Sequence, residues 1–251
     1  MSRLTVKNAA EIAKMRAAGL IVRDALELLG RSAKAGVSTL ELDAIAAEFL
    51  GSRGAKASFL GYNGYPASIC ASVNSQVVHG IPDGYKLREG DILSVDIGAL
   101  KDGYHGDAAR TFFIGRVADE ARKLVEVTQE CFFLGAAEAR EGRHIADISR
   151  AVEAHARKHG YGVVRDLVGH GIGRDMHEPP EVPNFTDARI GRGLRLTKGM
   201  TLAIEPMINM GGWQVRQEAN GWTVVTADGS LSAHYENTVA ITDGEAEILT
   251  L

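Results

Sequence analysis

Four acidic residues stand in segments that are otherwise apolar and typical of β-strands. They are Asp96 in LSVDIG, Asp107 in YHGDAARTFF, Glu205 in LAIEPM and Glu236 in SAHYENTVAIT. Burial of an isolated carboxylate is costly, so each acid either lies at an exposed strand end or edge or meets a partner. Divalent cations favour oxygen ligands, and two such ions can share four carboxylates by bridging. If the four acids converge, the sequence therefore predicts a site for two divalent metals.

Asp96 and Asp107 lie on the two arms of a predicted β-hairpin. Its turn falls near Lys101, Asp102 and Gly103. A loop of Lys101 and Asp102 would place the two acids directly opposite each other, whereas a loop of Asp102 and Gly103 would place them diagonally on one face. A three-residue loop would separate the acids unless a bulge restored the alternation. Like charges facing each other across strands destabilise a sheet, so the first two registers call for a compensating cation.

The stretch LVGHGIGRDMHEPP, residues 167–180, contains two further candidate site residues, His170 and His177. Its glycines do not form the phosphate-binding pattern G-x-G-x-x-G, because position 174 is arginine. The pair His177-Glu178 does not continue as the zinc motif H-E-x-x-H, and the prolines that follow prevent a helix. The stretch therefore gives no support to nucleotide binding or to a zincin helix.

The other histidines and the cysteines carry weaker signals. His155 and His159 lie one helical turn apart and could bind zinc, although a solvated helix end is the favoured interpretation. Cys70 has no activating base nearby in the sequence, so a core thiol is favoured over a nucleophile. The histidines without any signal of a site are His105, His144 and His234.

Two pairs of helices are predicted to position these segments. Asn8 with Glu11 and Ser38 with Glu41 have the spacing of capping boxes, and the first helix is expected to end near Gly30. The later pair covers residues 119–140 and 144–159.

The order of helix, helix and strands occurs twice, which suggests an internal duplication. Gly36 aligns with Gly142, and VVHGIPDG at 77–84 is echoed by VGHGIGRD at 168–175. Each half then has two strand segments with an acid. We therefore expect a single catalytic domain, residues 1–251, whose halves of roughly 1–115 and 116–251 meet at one cleft.

Composition limits the class of protein. The chain has 251 residues, 45% of them hydrophobic, and a formal net charge of −4, so nucleic acid or an anionic membrane is not an expected partner. Its two cysteines cannot form a disulfide framework, and its N-terminus lacks the apolar run of a signal peptide. No stretch reaches the length of a membrane span. A soluble cytoplasmic protein is expected.

Six fragments within residues 60–242 resemble segments of the methionine aminopeptidases. They are NSQVVHGIPD, DILSVDIGA, YHGDAARTFFIG, GHGIGRDMHEPP, GMTLAIEP and HYENTVAIT. The resemblance implies the α+β pita-bread (creatinase/aminopeptidase-like) fold, a pseudo-two-fold duplicated unit with a curved antiparallel sheet backed by helices. The short chain resembles the bacterial type I form of the family.

The resemblance also implies two divalent metal ions per chain, either iron, cobalt, manganese or zinc. Asp96 would bind one ion, His170 and Glu205 would bind the other, and Asp107 and Glu236 would bridge both. A hydroxide held by the metals would attack the first peptide bond, and Glu205 would shuttle protons.

Two histidines that are not ligands in the family correspond to His79 and His177. They would hydrogen-bond the peptide amide and the developing oxyanion, respectively. The residues that fall where the family lines its methionine pocket are Phe59, Tyr62, Tyr65, Cys70, Met176 and Trp222. Phe59, Asn63 and Met176 replace residues commonly seen as cysteine, histidine and phenylalanine, which leaves the shape and tolerance of the pocket open.

The expected function is removal of the initiator methionine from nascent proteins and peptides that have a small second residue. The implied partners are nascent polypeptide N-termini, with transient contact with the ribosome surface, and a monomer is expected. Xaa-Pro aminopeptidases and prolidases of the same fold would use the same five ligands, but they usually carry an additional N-terminal domain. A metal-free homologue that binds RNA or the ribosome would lack ligands and have a basic surface. A di-iron oxidase would favour Glu-x-x-His pairs on bundle helices.

Overall fold

The computed structural model describes residues 4–189 and 191–251. The α-helices in these ranges are α1 (Ala9–Ser32), α2 (Thr39–Ser52), α3 (Asp119–Glu138) and α4 (Ile145–Lys158). They confirm the two predicted helix pairs, with ends close to those expected. None of the helices in the described ranges is long and apolar enough to cross a membrane.

Both predicted capping boxes are formed. The side chain of Asn8 accepts hydrogen bonds from the backbone N–H groups of Ala10 and Glu11, and the Glu11 carboxylate accepts one from the N–H of Asn8, all at 3.0 Å. Ser38 and Glu41 make the equivalent reciprocal bonds at the start of α2. These bonds satisfy N–H groups that have no partner within the helix, and they fix the first residue of each helix.

Helix α1 continues to Ser32, slightly beyond the end expected near Gly30. A Cβ atom at Gly30 would lie 2.6 Å from the aromatic ring of Phe112. The glycine therefore lets the helix lie close to a neighbouring strand and is not a stop signal. This is a packing requirement that helix propensity does not reveal.

The strands are short, and all their ladders are antiparallel. Those of the first half are β1 (Lys56–Ala57), β2 (Cys70–Val73), β3 (Gln76–Val78), β4 (Ile92–Lys101) and β5 (Tyr104–Phe113). Those of the second half are β6 (Gly162–Val163), β7 (Gly169–Gly171), β8 (Glu178–Val182), β9 (Thr201–Ile204), β10 (Met207–Asn209), β11 (Val215–Gln217), β12 (Val224–Thr226), β13 (Ser232–His234), β14 (Asn237–Ala240) and β15 (Glu247–Ile248).

Two sheets support the cavity described below. In the first, β4 pairs with β5 along one edge and with β1 and β2 along the other. The second has the strand order β15-β14-β9-β7-β8. The described residues also form two three-stranded sheets, with the strand orders β13-β10-β6 and β11-β12-β3. The helices and antiparallel sheets agree with the expected α+β class.

The hairpin of β4 and β5 adopts one of the two registers that bring its acids together. Asp107 pairs with Gly98, and Asp96 pairs with Ala109, so the two acids are diagonal neighbours on one face. The turn residues Asp102 and Gly103 have φ angles of 50° and 79°. Two left-handed residues form the type of turn whose twist matches that of the strands, which selects the Asp102-Gly103 loop.

The two sheets join beside these acids. The backbone N–H of Glu236 donates to the carbonyl of Ala109 at 3.0 Å, and the N–H of Ala109 donates back at 3.3 Å. The hydroxyl of Thr238 accepts from the N–H of Asp107 at 3.0 Å and donates to its carbonyl at 2.9 Å. Strand β5 therefore runs alongside the segment that carries Glu236, which brings acids from the two halves together.

A helix pair packs behind each sheet. Leu26 of α1 and Leu42 of α2 share a hydrophobic cluster with Val95 of β4. In the second half, Phe132 of α3 and Ile148 of α4 are in a cluster with strands β9 and β14. The repeated arrangement is what a duplication would produce, and the duplication itself stays a prediction.

Helix α1 and strand β5 come into backbone contact at Gly19 and Gly106. A Cβ atom at Gly106 would lie 2.7 Å from the backbone nitrogen of Gly19. Gly106 immediately precedes Asp107 in the strand. The helix backbone therefore rests directly on the strand segment that carries one of the four acids.

Candidate active site

One cavity collects every residue that the sequence proposed for the site. Its volume is about 190 Å³, which suits a single side chain and is smaller than typical sites for drug-sized ligands. The lining residues are Phe59, Tyr62, Asn63, Tyr65, Cys70, His79, Asp96, Asp107, His170, Met176, His177, Glu205, Trp222 and Glu236.

The four acids reach the cavity from both halves. Asp96 and Asp107 extend from the hairpin, Glu205 follows β9, and Glu236 lies between β13 and β14. Potential ligand atoms of Asp107, Glu236 and His170 lie within 4.8 Å of one another. The predicted convergence of the acids is therefore a feature of the structure, and the interpretation as separate exposed edge acids is wrong.

The protein supplies little positive charge to these carboxylates. Asp107 and Glu236 are each only 2% exposed. Among the described residues, the basic side chains within 4.0 Å of the four acids are histidines, at 3.6 to 3.9 Å. The guanidinium of Arg110 donates to the backbone carbonyl of Glu236 at 2.6 Å and does not pair with its carboxylate.

Burial and mutual repulsion make it unfavourable for the four acids to be ionised, so their pKa values are raised. Burial raises the pKa of Asp96 to about 7. Burial, and then the charge of neighbouring acids, holds the pKa values of Asp107, Glu205 and Glu236 well above their usual range. One buried oxygen each of Asp96, Asp107 and Glu236 has no hydrogen-bond partner. Oxygen atoms in this condition fit ligation of divalent cations, which would supply the missing charge.

His170 is oriented as a ligand would be. Its Nδ1–H group donates to the carbonyl of Gly171 at 2.8 Å, so the lone pair is on Nε2. Nε2 lies 3.6 Å from a Glu205 oxygen and 3.9 Å from an Asp107 oxygen. Burial lowers the pKa of His170 to about 3, which keeps the imidazole neutral. A neutral, oriented imidazole facing carboxylates is suited to bind a metal.

The glycines around His170 serve packing. A Cβ atom at Gly169 would clash with the carbonyl of Ala203, and one at Gly171 would clash with the carbonyl of Pro179. Strand β7 can therefore lie between its neighbours β8 and β9 at backbone contact distance.

The sequence interpretation missed His234. Its Nε2 lies 3.7 Å from a Glu236 oxygen and 3.8 Å from a Glu205 oxygen and has no hydrogen-bond partner. Potential ligand atoms of His234, Glu236 and Asp96 also lie within 4.8 Å of one another. The available signal was the spacing, because residues two apart along an extended chain point to the same face.

Aromatic and sulfur-containing side chains form the other wall of the cavity. Phe59, Tyr65, Cys70 and Met176 are buried in one cluster, with Trp222 packed against it. Tyr65 meets Trp222 edge to face, with ring centroids 5.1 Å apart. Cys70 pairs across the sheet with Asp96, so the apolar wall directly adjoins the acids. Burial holds the pKa of the Cys70 thiol well above its usual range, which agrees with a core thiol.

His79 and His177 reach the cavity from two loops. The ring of His177 lies 4.1 Å from that of His170, and its Nδ1 shares a 2.8 Å hydrogen bond with the hydroxyl of Tyr62. His79 has a left-handed backbone with a φ angle of 58°. Its ring lies 6.5 Å from that of Trp222, and burial lowers its pKa to about 4.

Two other histidines have structural contacts outside the cavity. His105 shares a 2.8 Å hydrogen bond with the hydroxyl of Ser58. His144 precedes α4, and its N–H donates to the carboxylate of Asp147 at 2.9 Å. Neither residue lines the cavity, as expected from the sequence.

Comparisons with known proteins agree with this geometry. The pattern of metallopeptidase family M24 matches residues 13–243. The chain is 55% identical over 249 residues to a methionine aminopeptidase of Clostridium acetobutylicum, and the alignment covers 99% of both proteins. It superposes on the crystal structure of methionine aminopeptidase from Rickettsia prowazekii with a TM-score of 0.96 and 38% identity, covering 99% of this chain and 100% of the other.

A more distant structure has the same architecture in a longer chain. Prolidase from Pyrococcus furiosus superposes with a TM-score of 0.79 at 21% identity, covering 99% of this chain and 66% of the prolidase. At this low identity, the likeness shows the pita-bread fold alone. The 55% identity over the full length of the Clostridium protein shows the family as well. The chain therefore belongs to metallopeptidase family M24 and, within it, to the methionine aminopeptidases.

Proposed function

We propose that the chain removes the N-terminal methionine from peptides and nascent proteins whose second residue is small, with two divalent metal ions bound in the cavity. One observation carries this proposal: a small apolar pocket and a cluster of buried, uncompensated carboxylates share one cavity. An unbranched thioether suits a wall of aromatic and sulfur-containing side chains. The acids lie beside that wall. A methionine side chain bound against the wall would therefore bring its peptide bond close to the acids.

Five residues would hold the ions. Asp96 would bind the first ion, His170 and Glu205 the second, and Asp107 and Glu236 would bridge both. The unpartnered oxygens of Asp96, Asp107 and Glu236 support this assignment. When bound, two such ions lower the pKa of a shared water and polarise a carbonyl group. Iron, cobalt, manganese and zinc all accept this mixture of carboxylate and imidazole ligands.

The remaining cavity residues would orient the substrate and move its protons. One oxygen of Glu205 lies 3.6 Å from Nε2 of His170, so its carboxyl group would be placed beside the reacting bond, where it could pass a proton to the leaving amine. His177, held by Tyr62, would donate a hydrogen bond to the oxygen on which charge develops. His79, fixed beside Trp222, would bond the peptide amide. The small pocket has room for about one side chain, which favours cleavage after the first residue.

The proposal extends to the setting of the reaction. Nascent polypeptide N-termini would be the natural substrates, met in the cytoplasm by a monomer that contacts the ribosome surface only transiently. The net charge of −4 gives no overall attraction to RNA, which disfavours the non-catalytic alternative.

A comparison of two peptides tests the substrate. The chain is incubated with Met-Ala-Ser and with Ala-Pro-Ser, and the released amino acid is measured. We expect faster release of methionine, its loss after chelation, and its recovery on addition of a divalent metal. Faster cleavage of Ala-Pro-Ser would overturn the substrate assignment in favour of an Xaa-Pro peptidase.

A pair of matched variants tests the bridging ligand. Asp107→Asn keeps the size of the side chain but removes its charge, whereas Asp102→Asn makes the same change in the exposed hairpin turn. We expect Asp107→Asn to lose metal content and activity together and Asp102→Asn to keep both. Unchanged metal content in Asp107→Asn would refute the bridging role.

A further inference from the structure

A second group of potential metal ligands lies on the outer surface between α3 and α4. It consists of Glu130 on α3, His155 on α4 and His159 at the end of α4. Each residue offers a ligand atom, and these atoms lie within 4.8 Å of one another. None of the three residues lines the cavity described above.

The structure corrects the interpretation of His155 as part of a solvated helix end. Its side chain is only 17% exposed, and its Nε2 shares a 2.6 Å hydrogen bond with the carboxylate of Glu130. The rings of His155 and His159 lie 4.9 Å apart. The ring of His159 also stacks on Tyr161, with an interplanar angle of 24°. Both imidazoles are therefore held on the same side of α4, facing α3.

This arrangement matches the requirements of a transition metal. Two histidines one helical turn apart present two ring nitrogens to one ion, and a carboxylate completes a set of three. Zinc takes such ligands at about 2.0 to 2.2 Å, which places tetrahedral ligand atoms about 3.3 to 3.6 Å apart. Nε2 of His155 and the Glu130 oxygen lie 2.6 Å apart, and all three ligand atoms lie within 4.8 Å of one another, so an ion between them would require rotations of the side chains. The side chain of Glu130 is 49% exposed, which leaves water access to a fourth position.

We propose that Glu130, His155 and His159 form a peripheral site for a borderline divalent transition metal such as zinc, separate from the catalytic cavity. The bound ion joins α3 to α4 and does not take part in peptide cleavage. The positive charges of Lys123 and Lys158 act on His159 and oppose the binding of a cation there.

Zinc stoichiometry tests the site. The full-length, untagged chain is equilibrated by dialysis against zinc, and bound zinc per chain is measured for the wild type and for Glu130→Gln/His159→Gln. We expect the double variant to bind one equivalent fewer and to keep its methionine-releasing activity. Glu126→Gln/Arg150→Gln changes two exposed residues on the same helices and serves as the matched control, with the wild-type stoichiometry expected.

A second measurement keeps the test decisive if zinc also fills other sites. Retention of the untagged chain on immobilised nickel reports accessible histidine pairs, since the cavity ligands are buried. We expect His155→Gln and His159→Gln each to reduce retention, and the control to retain it. Equal zinc stoichiometry and equal retention in the wild type and the variants would show an ion pair between Glu130 and His155 only and would overturn the proposal.

Discussion

Glu178 and the four cavity acids are all buried or half-buried, but their charges have different surroundings. Glu178 is 7% exposed, and its carboxylate meets the ammonium of Lys7 at 2.6 Å. It also accepts hydrogen bonds from the hydroxyl of Thr5 and from the backbone N–H of Arg174 at 2.9 Å. Burial alone would raise its pKa, but the bonds from Lys7 and Thr5 outweigh this, and the pKa is lowered.

The cavity acids have no such partners. Their pKa values are raised, and three of them leave a buried oxygen without a hydrogen bond. Glu178 immediately follows His177, so its ion pair with Lys7 anchors the loop that carries this histidine. The structural carboxylate of Glu178 is thus neutralised by a lysine of the same chain. The cavity acids, where metal ions would bind, have no lysine or arginine partner among the described residues. Each prediction below challenges this contrast.

The largest expected effect is on catalysis in Glu236→Gln. Loss of a bridging carboxylate should reduce methionine release by at least about 100-fold, because even changes to groups behind the ligands cost 10- to 100-fold. Without metal, the same variant should resist urea better than the wild type, since an uncompensated buried charge has been removed. Urea unfolding in the presence of a chelator measures this. A metal-free variant less stable than the wild type would contradict the contrast with Glu178.

Lys7→Met should have the largest effect on stability. Removal of the ammonium leaves the buried Glu178 unpaired, for which a loss of about 3 to 5 kcal/mol in unfolding free energy is typical. The matched control is Lys34→Met, which changes an exposed lysine and should shift stability little. Equal urea midpoints for the two variants would show that the pair contributes nothing.

The pH dependence of the metal-free protein should reveal the cavity acids. Asp96 has a pKa of about 7 in the folded chain against an ordinary value of 3.8, so the folded state binds more protons between these values. Stability should therefore fall as the pH rises from 5 to 8. The lowered pKa of Glu178 acts in the opposite direction and only at more acidic pH.

Thermal unfolding at the two pH values, with and without divalent metal, measures this dependence. Bound metal should remove the loss of stability toward pH 8, because it favours the ionised acids. A Tm of the chelated protein that rises from pH 5 to pH 8 would mean that the cavity acids are compensated by the protein itself.

The smallest expected effect is that of Tyr62→Phe. This change removes one neutral hydrogen bond to the exposed His177, worth about 1 kcal/mol, which corresponds to about a fivefold loss in kcat. Metal content should not change, since no ligand is touched. Tyr85→Phe, which removes a hydroxyl outside the cavity, is the control and should keep wild-type kcat. A loss of metal content in Tyr62→Phe would show that the aromatic wall also holds the metal ligands in place, contrary to this prediction.

The sequence was most informative where local rules act. The spacing of Asn8 and Glu11 predicted a helix start that the structure contains, because a capping box depends on neighbouring residues only. The turn at Asp102 and Gly103 was one of the registers that periodicity allowed. Left-handed backbone at both residues then decided between them.

The sequence was least informative where distant segments meet. His234 carries no local sign of a site, and it joins one only because β13 ends beside Glu205. The contact between Glu130 and His155 likewise depends on how α3 packs on α4. The roles of the cavity residues were inferred from family resemblance, and the geometry supports them by bringing these residues into one cavity.

The direct contact between Gly19 and Gly106 couples the position of helix α1 to that of the strand that carries Asp107. A methyl group at Gly106 has no room against the backbone of Gly19, so the helix and the strand would have to separate, and Asp107 would move with the strand. The packing of α1 on β5 would then affect metal affinity, although Gly106 does not line the cavity. Genetic selections for altered metal preference should therefore return substitutions at Gly106 as well as among the ligands.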